Sequence, residues 1–184
     1  MLIVLDRDGV INYESDDYIK SPEEWMPIPG SLPAIAALKK AGHIVVVATN
    51  QSGIGRGYYT EEILTQIHAK FRHLLSELAC DVDGIFYCPH LPVDHCECRK
   101  PKPGLFHQIG KQFNVGWSHA IAVGDALRDI QAAQAVNCPC VLVRTGRGKM
   151  TEEKGVGLDG VEIVDDLAQF VRSLLDGARK QPIL

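Results

Sequence analysis

The chain reads as an α/β protein with a doubly wound, mostly parallel sheet, and three observations predict it. Short apolar or β-branched runs recur at Leu2 to Leu5, His43 to Ala48, Val82 to Tyr87, His119 to Val123 and Cys140 to Arg144. Stretches with apolar residues at helical spacing separate them, an alternation that calls for parallel strands with helices on both faces. Four of the runs also lead into polar clusters, and parallel strands present all their carboxyl ends at one sheet edge, where ligands bind. One domain covering residues 1–184 is expected from this length.

The elements follow in order. Leu2-Ile3-Val4-Leu5 is unbroken and apolar, so it reads as a strand buried on both faces. It runs into Asp6-Arg7-Asp8-Gly9, where alternation puts Asp6 and Asp8 on one face, turns Arg7 away, and leaves Gly9 to bend the chain. Residues 11 to 29, with Pro22, Pro27 and Pro29, read as an ordered loop or small hairpin over the strand's end. Ser31 is placed to cap a helix that Ala41-Gly42 closes. The second strand ends in Thr49-Asn50-Gln51-Ser52-Gly53. Thr60 opens a helix to about Ala79 with Ile63, Leu64, Ile67, Phe71, Leu74, Leu75 and Leu78 inward. After the third strand come a cysteine-rich loop, Arg99-Lys100-Pro101 and a helix to about Phe113. The fourth strand ends in Gly124-Asp125, and a helix over 128–136 precedes the fifth. Residues 145 to 161, rich in Gly and charge, read as a mobile loop before a last helix from Leu167 to about Leu175.

Composition narrows the function. A net charge of -4 gives no basic footprint for nucleic acid or anionic lipid. No apolar run approaches the ~18 residues that cross a bilayer. Asp6, Arg7 and Asp8 stand where a signal peptide would be apolar, so the cytoplasm is the expected compartment and no membrane partner is expected. In that compartment the six cysteines read as thiols or metal ligands before disulfides. The expected state is a monomer.

The strand ends supply the parts of phosphate chemistry. Two carboxylates as close as Asp6 and Asp8 need either a retained proton or a cation between them. Mg²⁺ held by Asp6, Asp8 and Asp125, with the Lys100 ammonium, would neutralise the charge that spreads over a transferring phosphoryl group. Thr49 offers a hydroxyl and Asn50 an amide to the same oxygens. Asp6 would attack phosphorus and Asp8 would move protons, giving an aspartyl-phosphate on the way. Asp129, one helical turn past Asp125, would stand behind it.

A second cluster, Cys88-Pro89-His90 with Cys96-Glu97-Cys98, has the close-set pairs of a tetrahedral Zn²⁺ site. Four protein ligands would make such a zinc structural. His95 is an alternative to His90 on spacing alone.

Asp6-Arg7-Asp8-Gly9-Val10, Thr49-Asn50-Gln51-Ser52-Gly53-Ile54, Arg99-Lys100-Pro101 and Val123-Gly124-Asp125 together resemble the four motifs of the haloacid dehalogenase superfamily phosphatases over residues 2 to about 146. The resemblance implies a Rossmann-like sheet in strand order 5-4-1-2-3, no separate cap domain, and a zinc-stapled loop. By it Asp6 is the nucleophile, Asp8 the acid/base and Mg²⁺ ligand through its carbonyl, and Asp125 a further ligand. Thr49 and Lys100 would hold the transferred group, and Arg99 a second, retained phosphate. Asp16, Asp17 and Tyr18, with Asn50, Gln51 and Ser52, would contact substrate, and Cys88, His90, Cys96 and Cys98 would bind zinc. The implied substrate is a small phosphorylated sugar, with histidinol phosphate its rival. A non-enzymatic zinc-stapled interaction module is the rival of another class. Ala126 departs from the pattern, since related enzymes often carry a polar or basic residue there.

Overall fold

The computed structural model describes residues 1–179. Its centre is β1 (Leu2–Leu5), which pairs in parallel with β2 (Ile44–Asn50) on one side and β4 (Ala120–Gly124) on the other. β3 (Gly84–Cys88), β5 (Cys140–Val143) and β6 (Glu162–Val164) extend an all-parallel sheet of order β3-β2-β1-β4-β5-β6. The expected five-strand order is present, with β6 added at the β5 edge.

Alternation along β1 divides the core. Ile3 and Leu5 face α1 (Ser31–Lys40), α2 (Glu61–Ser76) and α6 (Leu167–Arg179), while Leu2 and Val4 face α3 (Gly104–Phe113) and α4 (Leu127–Gln134). All four side chains are buried, each contributing on the order of 1.5–3 kcal/mol by leaving water. This burial on both faces explains why the strand reads as one unbroken apolar run. Leu64, Ile67, Phe71 and Leu75 form the buried stripe of α2, whereas Leu78, expected inward, lies past the helix end and is 43% exposed.

Two loops differ from expectation in ways that shape the cleft. The segment from 11 to 29 is pinned by fully buried Trp25 against Phe71, and by Lys70 Nζ donating to the Pro22 and Trp25 carbonyls. Gly30, not Ser31, is the N-cap of α1; the Ser31 hydroxyl instead donates to the Ile11 carbonyl at 2.6 Å and ties this segment down. The stretch from 145 to 161 is not a loop throughout. It contains α5 (Gly148–Lys154), held by Thr151 Oγ1 donating to the Asp125 carbonyl and by Arg144 bridging to Glu152. Its Gly and charged residues hid a helix whose anchoring is tertiary and not periodic.

Candidate active site

The carboxyl ends of β1, β2 and β4 converge on one buried cluster. Asp6 leaves β1 with its N–H bonded to the Val123 carbonyl, and its Oδ1 lies 3.0 Å from Lys100 Nζ. That ammonium also lies 2.6 Å from Asp129 Oδ1 and donates to the Ala48 carbonyl at 2.7 Å. Burial works against the charge on Lys100, but the Asp129 and Asp6 carboxylates outweigh it and raise its pKa. Carboxylate oxygens of Asp6, Asp125 and Asp129 lie within 4.8 Å of one another.

Three buried acids face one ammonium and, more weakly, the Arg128 guanidinium, and burial still outweighs both at Asp6 and Asp125. Burial, with the charges of Asp129 and Asp6, pushes Asp125 up to about 8. Burial raises Asp6 to about 6, against the pull of Lys100. Asp125 Oδ1 is buried with no hydrogen-bond partner among the described residues, while its Oδ2 accepts the Arg147 N–H. An oxygen-only donor set with an unused buried lone pair suits a hard divalent cation such as Mg²⁺. Glycine is required around it: a Cβ on Gly9 (φ +85°) would meet Asp125 Oδ2 at 2.1 Å, and one on Gly146 (φ +56°) at 2.2 Å.

Asp8 corrects the simple alternation argument. β1 has already ended, and Arg7 does not turn away; it is 1% exposed and its guanidinium donates to both Asp8 oxygens. Asn12 Nδ2 and Gln51 Nε2 each donate to Asp8 at 2.8 Å. Burial favours the neutral acid, but the Arg7 charge and these hydrogen bonds prevail and lower its pKa. The Asp8 carboxylate is therefore engaged here, and Asp129 takes the third place in the carboxylate cluster. Tyr59 donates to Gln51 Oε1 at 2.6 Å and His68 Nε2 lies 3.3 Å from Arg7 Nη1. Burial, joined by Arg7, depresses His68 to about 3 and keeps it neutral. Sequence reasoning missed this network because its members are spread over α2 and two loops.

Asp6, Arg7, Asp8 and Tyr59 line a cleft of roughly 200 Å³, and Lys100, Asp125 and Asp129 stand behind Asp6 without lining it. Thr49, Asn50, Gln51, Ser52, Arg99, Asp16 and Tyr18 all line it, as expected, and Asp17 does not. Asn50 has a different use from the one expected: Nδ2 donates to the Lys100 carbonyl and Oδ1 accepts the Lys100 N–H, so it fixes the lysine's backbone. Thr49 Oγ1 accepts from Gln51 Nε2 at 2.8 Å, which leaves its hydroxyl proton uncommitted. Glu14, Arg128 and Arg147 also line the cleft and escaped sequence reasoning. Arg128 did leave a signal, a cation in the first turn of α4, where the helix dipole favours an anion.

The loop after β3 brings Cys88, His90, Cys96 and Cys98 together and leaves His95 outside. Sγ of Cys88 is 3.6 Å from both His90 Nδ1 and Cys96 Sγ; Cys98 Sγ is 3.3 Å from His90 Nδ1 and 3.5 Å from Cys96 Sγ. Such separations are those between the corners of a tetrahedron with ~2.0–2.3 Å metal bonds, so the donors fit zinc. Burial opposes ionisation of Cys96, but hydrogen bonds from the Arg99 backbone and the neighbouring thiols bring it down to about 7. This cluster ends two residues before Lys100. Arg99 Nη1 donates to the His90 carbonyl, and Gly104 N to that of Glu97.

Comparison with known proteins agrees with this geometry. Residues 97–170 match the family model "HAD-hyrolase-like". A D-glycero-β-D-manno-heptose-1,7-bisphosphate 7-phosphatase from Pseudomonas aeruginosa is 53% identical over 174 residues, covering 95% of this chain and 97% of that protein. One from Neisseria meningitidis is 47% identical over 176 residues, 95% of this chain and 94% of that one. The crystal structure of the Bordetella bronchiseptica D,D-heptose 1,7-bisphosphate phosphatase, complexed with magnesium and phosphate, superposes with a TM-score of 0.94 at 46% identity, over 96% of this chain and 98% of that one. Fold and site thus define a haloacid dehalogenase-like hydrolase acting as a phosphatase. Within that class, the chain belongs to the heptose-1,7-bisphosphate 7-phosphatase family.

Proposed function

We propose that the chain removes the C7 phosphate of D-glycero-β-D-manno-heptose 1,7-bisphosphate through an aspartyl-phosphate on Asp6, as a cytoplasmic monomer serving lipopolysaccharide-core precursor synthesis. The observation that carries this reading is Asp6, which lines the cleft and is backed by Lys100 at 3.0 Å and by Asp125. Asp6 and Asp125, with the Asp8 backbone carbonyl, would hold Mg²⁺, and Asp129 stands next to them. The ion would supply positive charge for the phosphoryl oxygens and keep both acids ionised.

The chain's own groups divide the remaining work. Asp6 attacks phosphorus while Lys100 and the free Thr49 proton stabilise the equatorial oxygens. Asp8 rests as a carboxylate under the influence of Arg7. A phosphate dianion arriving beside it raises its proton affinity by like-charge repulsion, so it takes up a proton from solvent as substrate binds and passes that proton to the leaving alkoxide. Returned to the carboxylate, it takes a proton from the water that opens the aspartyl-phosphate. Arg99, Ser52, Asp16 and Tyr18 line the cleft; Arg99 would face the retained phosphate, and the other three would bound the sugar. Cys88, His90, Cys96 and Cys98 would hold a structural zinc, and that ion would fix the loop from which Lys100 projects.

Phosphate release from the heptose bisphosphate and from histidinol phosphate, measured side by side, tests the substrate. Faster release from histidinol phosphate would overturn the assignment. Asp6→Asn should lower turnover by a factor on the order of 10⁴ or more, with the far-ultraviolet spectrum and melting transition retained; an unchanged rate would remove Asp6 as the nucleophile.

A further inference from the structure

Arg128 is a side chain that its own helix does not require. It stands in the first turn of α4, and its Nε is buried without a hydrogen-bond partner among the described residues. Glu14 Oε2 is 3.9 Å from its Nη2, an ion-pair separation too long for a hydrogen bond. Arg147, preceding α5, reaches the same carboxylate: its Nε donates to Glu14 Oε2 at 3.2 Å and its Nη2 to Asp16 Oδ1 at 3.0 Å. Its backbone N–H meanwhile holds Asp125. Both guanidinium groups line the reaction cleft.

Two arginines thus share one Glu14 oxygen, and Arg128 Nε has no hydrogen-bond partner among the described residues, although the charges of Asp129, Asp6 and Asp125 also bear on this guanidinium. A phosphate group suits this arrangement better than a single carboxylate oxygen, because it carries more charge and three acceptor oxygens for planar forked donors. We propose that Arg128 and Arg147 form the subsite for the phosphate that the reaction leaves on the sugar, and that Glu14 is the carboxylate this group displaces. The inference rests on the bisphosphate reading above and adds to Arg99 a pair from the opposite, β4 and β5, side of the sheet.

The test compares kcat/KM for the heptose bisphosphate with kcat/KM for the same heptose bearing only the C7 phosphate. Effects on chemistry common to both substrates cancel in this ratio. Arg128→Met and Arg147→Met should each lower the ratio at least tenfold, the scale of a charge-assisted hydrogen bond. Arg128→Lys, which keeps the charge without the fork, should fall between. Glu14→Gln should raise the ratio through a lower KM for the bisphosphate. Should Arg128→Met not fold, Arg147→Met reads the same quantity from a side chain that is 39% exposed. A ratio within twofold of wild type in the arginine variants overturns the subsite and assigns these residues to the transferred phosphoryl group or to folding. Wild type inactive on the bisphosphate but active on the monophosphate overturns the underlying substrate reading instead, before any variant is made.

Discussion

The buried acid cluster makes the stability of this protein depend on pH in an unusual direction. An ordinary paired carboxylate has a lowered pKa and stabilises the fold as pH rises. Asp125 is pushed from 3.8 up to about 8 by burial, then by Asp129 and Asp6, so in Mg²⁺-free buffer the folded chain holds a proton that the unfolded chain has already lost. Stability therefore falls as pH rises towards 8. Between pH 6.5 and 8.0 the difference between wild type and Asp125→Asn isolates this effect, because the opposing contributions of Cys96, at about 7, and of His68 are common to both proteins. Folded His68, at about 3, is neutral throughout, while the unfolded imidazole, with an ordinary value of about 6.5, still gives up part of its proton; Asp6, at about 6, is largely ionised. With a folded pKa near 8, the loss over that window is about 1.5 kcal/mol. For a chain of this size that is roughly 3–6 °C in Tm. Saturating Mg²⁺ should abolish or reverse the slope, because the cation competes with the proton for the same oxygens. Differential scanning fluorimetry in resin-treated buffer, with no chelator that would strip a zinc site, reads all of this. Asp125→Asn should make the Mg²⁺-free slope more positive by this amount. An equal Mg²⁺-free slope from pH 6.5 to 8.0 in wild type and Asp125→Asn would refute the electrostatic account of the cluster.

Two further outcomes follow from the same geometry. Gly146→Ala forces a Cβ to within 2.2 Å of Asp125 Oδ2 and 2.5 Å of Gly9 Cα, at a φ of +56°, so it should cost on the order of 2–4 kcal/mol and weaken Mg²⁺ dependence; denaturant melts and a Mg²⁺ titration of activity check it, and wild-type values in both would show that the approach is not tight. Metal analysis of protein purified without chelator should give about one zinc per chain for a closed four-ligand site, and Cys98→Ser should lower both zinc content and turnover through the loop carrying Lys100. A zinc-free protein with native activity would remove the staple.

What could be read from the chain and what could not divides along physical lines. Leu2 to Leu5 is legible because burial on both faces leaves no polar position, and Asp6 and Asp125 are legible because an acid directly after such a run has nowhere to go but the sheet's edge. Cys88, Cys96 and Cys98 are legible from spacing, yet the choice of His90 over His95 needed coordinates, because His95 takes a positive φ that ends a 3-10 turn while His90 stays on the cluster. Arg7 illustrates the opposite failure. Period-two alternation assumes the strand continues, and here β1 stops at Leu5, so the residue expected to face away is buried against Asp8. Arg147 and Glu14 lie 133 positions apart, and the ion pair between them leaves no local pattern. The scaffold and its reacting groups are written in short windows of sequence because each is fixed by its own strand. The groups that surround a substrate come from loops, whose positions depend on contacts such as Thr145 Oγ1 to the Gly9 carbonyl, and those contacts exist only once the chain has folded.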